Sequence, residues 1–245
     1  MYAALVSTAA QQSVELVVFP EAYGLARLTE TAVFEPLISA VGAAPCDAAA
    51  GGAAQQRALS CLARQHGVVL AANVFVALAN ETKRIAELVY DARGTTLAVY
   101  FKHHLFPNEV LSGVSPGPFA PTVFTALGRT WGIIICYEGV YPILTGDFAQ
   151  MNALVASGAS GFVWSAGSEV PLDSLSSVYG EKYYVDVAST MDLGATPSSG
   201  AIVNASGAPL TYTDTRVSVP GYTGDAVLRV ATVPDAARGV GKSSI

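Results

Sequence analysis

A chain of 245 residues is long enough to bury a substantial core, and 51% hydrophobic against 13% charged residues speaks against intrinsic disorder. The formal net charge of -6 argues against nucleic acid as a partner, because phosphate binding needs clustered Lys and Arg. The longest apolar stretch, Val68 to Ala79, contains Asn73 and is too short to span a bilayer, so the apolar content reads as the interior of a soluble protein.

Met1 to Glu15 reads as an amphipathic helix; it has no basic leading region, so it is not taken as a signal peptide. Leu16 to Pro20 is a short buried strand ending at Glu21, and Tyr23 to Ser39 an irregular stretch leading into a helical turn. Val41 to Ala54, with Pro45, Gly51 and Gly52 among alanines, is a low-complexity surface loop. Ala54 to His66 carries Leu59, Leu62 and Ala63 at helical spacing and is stopped by Gly67. Val68 to Ala79 is a buried strand. Ile85 to Tyr90 and Leu97 to Lys102 form a hairpin through Asp91-Ala92-Arg93-Gly94.

Thr122 to Ala126 and Arg129 to Cys136 pair around Gly128. Leu144 to Ser157 is a helix, Gly161 to Trp164 a strand, and Leu172 to Thr190 a helix. Ala201 to Val203 and Leu210 to Tyr212 flank a turn at Asn204, and Asp225 to Val233 is the last strand. Helices and strands in this mixture imply a layered α/β domain over residues 1–234, with a flexible tail over 235–245.

Three strand ends carry complementary chemistry. Val17-Val18-Phe19-Pro20-Glu21 ends on a carboxylate, Tyr100-Phe101-Lys102 on an ammonium, and Ile133-Ile134-Ile135-Cys136 on a thiol. A free thiol is mostly protonated at neutral pH, so a nucleophilic Cys136 needs a base and a cation. Glu21 is placed to take the proton, and Lys102 to face a developing oxyanion. Each residue also has a bland reading: cysteine is often simply buried, Pro20-Glu21 is a common turn, and Lys102 fits a solvated strand end. What favours chemistry is that three such ends coincide, since α/β sheets bind ligands there.

Other residues carry less. His103 and His104 raise a papain-like Cys-His pair, but strand alternation lets at most one of Lys102 and His103 face Cys136. His66 fits a helix-end contact better than a ligand, and three histidines without paired spacing give no metal site. Trp164 and Tyr141 are candidates for a substrate-pocket wall, with core packing as the alternative. Cys46, Cys61 and Cys136 permit one disulfide and a free thiol, or three reduced thiols.

Phe19-Pro20-Glu21, Lys102-His103-His104-Leu105 and Cys136-Tyr137-Glu138 with Tyr141-Pro142 together resemble the nitrilase (carbon–nitrogen hydrolase) superfamily, and within it the vanin and biotinidase branch. Pro45-Cys46, Leu59-Ser60-Cys61, Ala71-Ala72-Asn73 and Trp164-Ser165-Ala166 extend the likeness. The resemblance implies an α-β-β-α sandwich, no metal or organic cofactor, and a Glu21–Lys102–Cys136 triad that hydrolyses a small linear amide, as in pantetheine or biocytin, through a thioester. The alternatives are an omega-amidase or carbamoyl-amide hydrolase on the same triad, or a catalytically inactive homologue acting as a binding protein. It also implies an oxyanion contact from the backbone N–H of Tyr137, a second active-site glutamate at Glu109, and a Cys46–Cys61 disulfide. Glu138 stands where relatives mostly carry Asp.

A strand ahead of the first helix is expected by the same resemblance; the sandwich without it has an exposed sheet flank. The additional C-terminal domain and lipid-anchor tail of vanins are not found in this sequence. Asn80-Glu81-Thr82 and Asn204-Ala205-Ser206 fit the glycosylation sequon. With the disulfide they lean toward an extracellular or secretory-lumen protein, the alternative being cytoplasmic. A homo-oligomer is compatible with all of this, and the sequence does not fix its order.

Overall fold

The computed structural model describes residues 2–21, 32–49, 51–167, 176, 178, 179, 182, 183, 186–190, 202–204, 206, 208, 210–218 and 225–231. The chain opens with α1 (Tyr2–Gln11), whose Tyr2, Leu5, Val6 and Ala9 form one buried stripe at helical spacing. β1 (Leu16–Val18), β2 (Glu35–Pro36), α2 (Ala54–His66), β3 (Val69–Ala77), β4 (Lys83–Tyr90) and β5 (Thr96–Phe101) follow. They make one sheet in the order β1-β3-β4-β5, with β2 also on β3.

Next come α3 (Pro107–Leu111), β6 (Val123–Ala126), β7 (Arg129–Ile135), α4 (Tyr141–Thr145), α5 (Ala149–Ala156), β8 (Gly161–Ser165), β9 (Asp186–Thr190) and β10 (Ile202–Val203). Their sheet runs β10-β9-β8-β7-β6, with β7, β8 and β9 parallel. β11 (Tyr212–Ser218) and β12 (Asp225–Ala231) pair antiparallel. The Gln12 amide donates to the Thr215 hydroxyl at 3.0 Å, and Val217 joins the cluster around α1.

Side-chain alternation sorts the layers. Leu70, Ala72, Val74 and Val76 of β3 pack with α1 and α2, whereas Val69, Ala71 and Phe75 face the other sheet. On β7, Trp131, Ile133 and Ile135 point into the space between sheets, and Ile134 packs outward against Met151 and Leu154 of α5. The result is an α-β-β-α sandwich with an apolar interlayer, each fully buried Leu, Ile or Val contributing about 1.5–3 kcal/mol. Among the described residues no helix is long and apolar enough to cross a membrane.

Four expectations change. The helix expected over Leu144 to Ser157 is two helices, because Gly146 ends α4 in a left-handed cap at φ 75° and the Asp147 carboxylate accepts the Ala149 N–H to start α5. The helix expected to reach Thr190 gives way to β9, which pairs in register with β8; the residues described between Ser176 and Tyr183 are helical. No helical turn forms over residues 32–39, where β2 instead pairs with β3. The strand expected over Leu210 to Tyr212 begins at Tyr212 and runs to Ser218, through alternating Thr213, Thr215 and Val217. The expected tail, 235–245, lies outside the described residues.

Candidate active site

Cys136 stands one residue beyond β7, where the chain enters a 3-10 turn over Cys136–Gly139. Its φ is 44°, a left-handed conformation that costs a non-glycine residue energy and that surrounding contacts must hold. Those contacts are identifiable. The Trp164 indole N–H donates to the Cys136 carbonyl at 3.0 Å, and the Tyr179 hydroxyl donates to the Gly139 carbonyl at 2.5 Å. A Cβ on Gly139 would lie 2.2 Å from the Trp164 ring, so only glycine lets the indole sit under the turn.

Glu138 ties this turn to the other sheet. It is fully buried, and its Oε2 accepts the Ile135 N–H at 2.9 Å. Its Oε1 accepts the Tyr100 hydroxyl at 2.5 Å and the N–H groups of His103 at 2.7 Å and His104 at 3.3 Å. One carboxylate therefore holds both the nucleophile's turn and the segment carrying Lys102. Gln150 donates to the Tyr100 hydroxyl at 2.9 Å and extends the network to His104.

Lys102 continues the inward row of Ala98 and Tyr100 on β5 and has no exposed surface. Its Nζ lies 2.6 Å from Glu21 Oε1 and 2.6 Å from Glu109 Oε1. Glu109 is placed by α3, and its Oε2 reaches back to the Phe106 N–H at 2.7 Å. Burial alone would lower the pKa of the Lys102 ammonium, but the charges of Glu21, Cys136 and Glu109 outweigh it and hold the group above its ordinary value. Lys102 is therefore a fixed cation. Burial pushes the Glu109 carboxyl up to about 7, against the pull of Lys102 and helped by Glu21.

Cys136 is part-exposed, and its thiol lies in the neighbourhood of the Glu21 carboxylate, Lys102 and the Gly167 backbone. Burial, then the negative charge of Glu21, push the thiol pKa up, while Lys102 pulls it down less strongly. The resting sulfur is protonated, with a base beside it. The Tyr137 N–H lies in the first turn of the 3-10 segment, where no intrahelical acceptor exists.

The structure thus brings Glu21, Lys102, Glu109 and Cys136 into one site. It places the histidines elsewhere: His103 Nδ1 bonds the Gly117 carbonyl at 2.8 Å, and His104 Nδ1 contacts Gln150 at 3.3 Å. Tyr141 is part-exposed near the turn, stacked on His104 at 4.0 Å and edge-on to Tyr137 at 5.9 Å. Trp164, expected on a pocket wall or in the core, has no exposed surface and packs with Phe162 and Tyr179 in the core. Cys46 and Cys61 are joined in a disulfide with Cα atoms 4.9 Å apart. Asn80 is exposed and Asn204 half-buried. Among the described residues no three His, Cys, Asp or Glu side chains cluster so as to hold a metal ion.

Sequence reasoning missed Tyr100, Gln150 and Gly167. The signal for Tyr100 was available, since it shares the strand face of Lys102 two residues away.

A carbon–nitrogen hydrolase family model matches residues 2–171. Among solved structures, the fold is similar to the NitN amidase from Nesterenkonia sp. AN1, with 21% identity, a TM-score of 0.69, and coverage of 96% of this chain and 86% of that one. A cysteine-to-serine mutant of that amidase, described as from the nitrilase superfamily, matches at 21% identity and TM-score 0.67 over 94% of this chain and 83% of that one. A cysteine-to-alanine mutant in complex with butyramide matches at 20% identity and TM-score 0.67 over 94% and 82%. No curated protein matches the sequence. A sandwich of this architecture, a Glu-Lys-Cys cluster built around the buried Lys102, and a family match over most of its length lead to one conclusion: the chain belongs to the carbon–nitrogen hydrolase family, the nitrilase superfamily.

Proposed function

We propose that the chain hydrolyses a small linear amide through an acyl-thioester on Cys136. The observation that carries this reading is the buried Lys102, its Nζ 2.6 Å from one oxygen of Glu21 and 2.6 Å from Glu109, with the Cys136 thiol beside the same Glu21 carboxylate. Glu21 takes the thiol proton as sulfur attacks the amide carbon. The carbonyl electrons move to oxygen, where the third N–H of Lys102 and the Tyr137 N–H receive the oxyanion. The carbon–nitrogen bond then breaks as Glu21 returns the proton to the departing amine. Water attacks the thioester with Glu21 again as base, and the acid leaves as the thiol is restored. Lys102 has two donors committed to Glu21 and Glu109, which keeps its third aimed at the reacting oxygen.

Within the family our reading is the vanin and biotinidase branch, with a pantetheine- or biocytin-like amide as substrate and an extracellular or luminal setting. The Cys46–Cys61 disulfide supports it, since such bonds persist in oxidising compartments. Exposed Asn80 is its glycosylation acceptor, with Asn204 the second. A second reading is a simple amidase for short aliphatic or ω-amides, favoured by the butyramide complex of a fold neighbour. Product analysis with pantetheine, biocytin and short ω-amides separates the two. A thiol probe tests the enzyme against a binding protein without turnover: rapid stoichiometric labelling of Cys136 that is lost in Glu21→Gln supports catalysis. Labelling no faster than a peptide thiol contradicts it.

A further inference from the structure

Alternation along the inner strands should keep the interlayer apolar, yet one row across it is polar. Asn73 of β3 pairs with Glu87 of β4, and Glu87 pairs with Tyr100 of β5, so three polar side chains lie side by side between Ala71, Phe75, Ile85, Val89 and Ala98. Facing them from the second sheet is Ser165, the last residue of β8, two positions before Gly167. Glu87, Ser165 and Asn73 are essentially without exposed surface. The Asn73 amide donates to Glu87 Oε2 at 2.7 Å, and the Ser165 hydroxyl and Glu87 Oε1 share a hydrogen bond of 2.8 Å. Here a side-chain hydrogen bond joins β4 directly to β8.

We infer that Glu87 is a positioning residue for the Cys136 thiol: by clasping Ser165 from the opposite sheet it fixes the end of β8, and with it Ala166, which shares a packed cluster with Cys136, and Gly167, which abuts Glu21. This rests on the reading of Cys136 as the nucleophile. The Gly167 amide also has no room to drift toward Glu21, because even a Cβ there would meet the Glu21 carbonyl oxygen at 2.8 Å. Glu87 thus sets, through Ser165 and the exit of β8, the backbone that lines Glu21 and Cys136.

Glu87 acts as the neutral acid. The charged and titratable groups around it are Glu21 beyond β1, Glu138 beyond β7, and Tyr100 on β5 with Lys102 just past the end of that strand. Lys102, the cation of the group, is engaged by Glu21 and Glu109. Burial, reinforced by the charges of Glu21 and Glu138, lifts Glu87 to about 8 against the bonds from Asn73 and Ser165. The Ser165 hydroxyl donates to the ionised carboxylate; in the neutral acid this contact reverses, the carboxyl O–H donating to Ser165 Oγ while the other oxygen accepts from Asn73, a pattern that glutamine reproduces. Above about pH 8 the site acquires a further carboxylate with no cation of its own, whose charge opposes that of the ionised sulfur.

The test is alkylation of Cys136 by iodoacetamide from about pH 6 to about pH 10, with turnover measured alongside, in wild type, Glu87→Gln, Glu87→Ala and Ser165→Ala. At neutral pH Glu87→Gln should match wild type within about twofold, and the ratio of its alkylation rate to wild type should rise several-fold as pH passes about 8. Glu87→Ala and Ser165→Ala should each slow alkylation about tenfold, lower kcat with KM unchanged, and combine with no added loss. A Glu87→Gln ratio flat across pH would overturn the proposal, and that variant remains informative should Glu87→Ala not fold. So would Glu87→Gln losing as much as Glu87→Ala at every pH, which would mean a charged carboxylate is needed. If Cys136 alkylates with the expected signature but no amide is cleaved, the hydrolase reading fails and the role of Glu87 stands.

Discussion

The Tyr100 hydroxyl donates to Glu138 at 2.5 Å across the two sheets, joining the strand that carries Lys102 to the turn that carries Cys136. Burial, then the adjacent Glu138 charge, raises the Tyr100 pKa far out of the working range, so the hydroxyl stays a donor throughout. Tyr100→Phe removes one donor from a buried carboxylate and leaves Gln150 without its acceptor. The expected cost is about 1–3 kcal/mol of stability, read from denaturant midpoints, with a fall in kcat larger than any change in KM. An unchanged kcat would show that the link does not position the site.

Glu138 accepts four hydrogen bonds from two segments, three of them from β5 and its exit and one from the end of β7. Glu138→Gln should therefore be more damaging than Tyr100→Phe, by about 3 kcal/mol or more, because the added amide donor faces four existing donors. Glu138→Asp keeps the charge but shortens the reach, and is expected to fall between. Thermal melts of the three variants in parallel establish the order.

Removing the ammonium of Lys102 leaves Glu21 and Glu109 facing each other without a cation. Lys102→Ala is expected to abolish turnover and cost about 3–5 kcal/mol. In Lys102→Met with Glu109→Gln, the uncompensated charge is reduced, so stability should recover while activity stays absent. Recovery of both would place the oxyanion contact elsewhere.

Glu109 gives the protein a pH dependence of defined sign. Its folded pKa of about 7 exceeds the ordinary carboxylate value of 4.5, so the folded state keeps the proton that the unfolded chain loses. Its contribution to stability is full below about pH 4.5 and declines until about pH 7. Subtracting the Glu109→Gln profile of urea midpoint from that of wild type isolates this group from Glu87, whose slope has the same sign. A difference constant with pH would contradict the assignment.

Much of this site could be read before the structure was known, and the residues show why. Glu21, Lys102 and Cys136 each end an apolar run, and strand ends of a layered α/β domain converge. Alternation correctly separated Lys102 from His103, because one faces the interlayer and the other bonds Gly117. Glu87 and Tyr100 were passed over as ordinary strand residues, since their importance arises from cross-strand register that a single segment does not reveal. The break at Gly146 and the start of β9 were missed for a related reason: local helix propensity was overridden by capping in one case and by pairing with β8 in the other.

Gly139 offers a test of the strained turn itself. Gly139→Ala drives a methyl group into Trp164, whose indole bonds the Cys136 carbonyl at 3.0 Å. The expected loss is about 1–3 kcal/mol or more, together with slower alkylation of Cys136. A variant that melts lower yet alkylates at the wild-type rate would mean that Trp164 does not hold the nucleophile's conformation.

The most direct measurement is intact-protein mass spectrometry of acid-quenched reactions with a cleaved amide, followed by mapping of the adduct. The expected result is an acyl group on Cys136 at early times, absent in Cys136→Ser and in Glu21→Gln. Acylation of a different residue, or turnover that persists when Cys136 is replaced by alanine, would contradict thioester catalysis at this site.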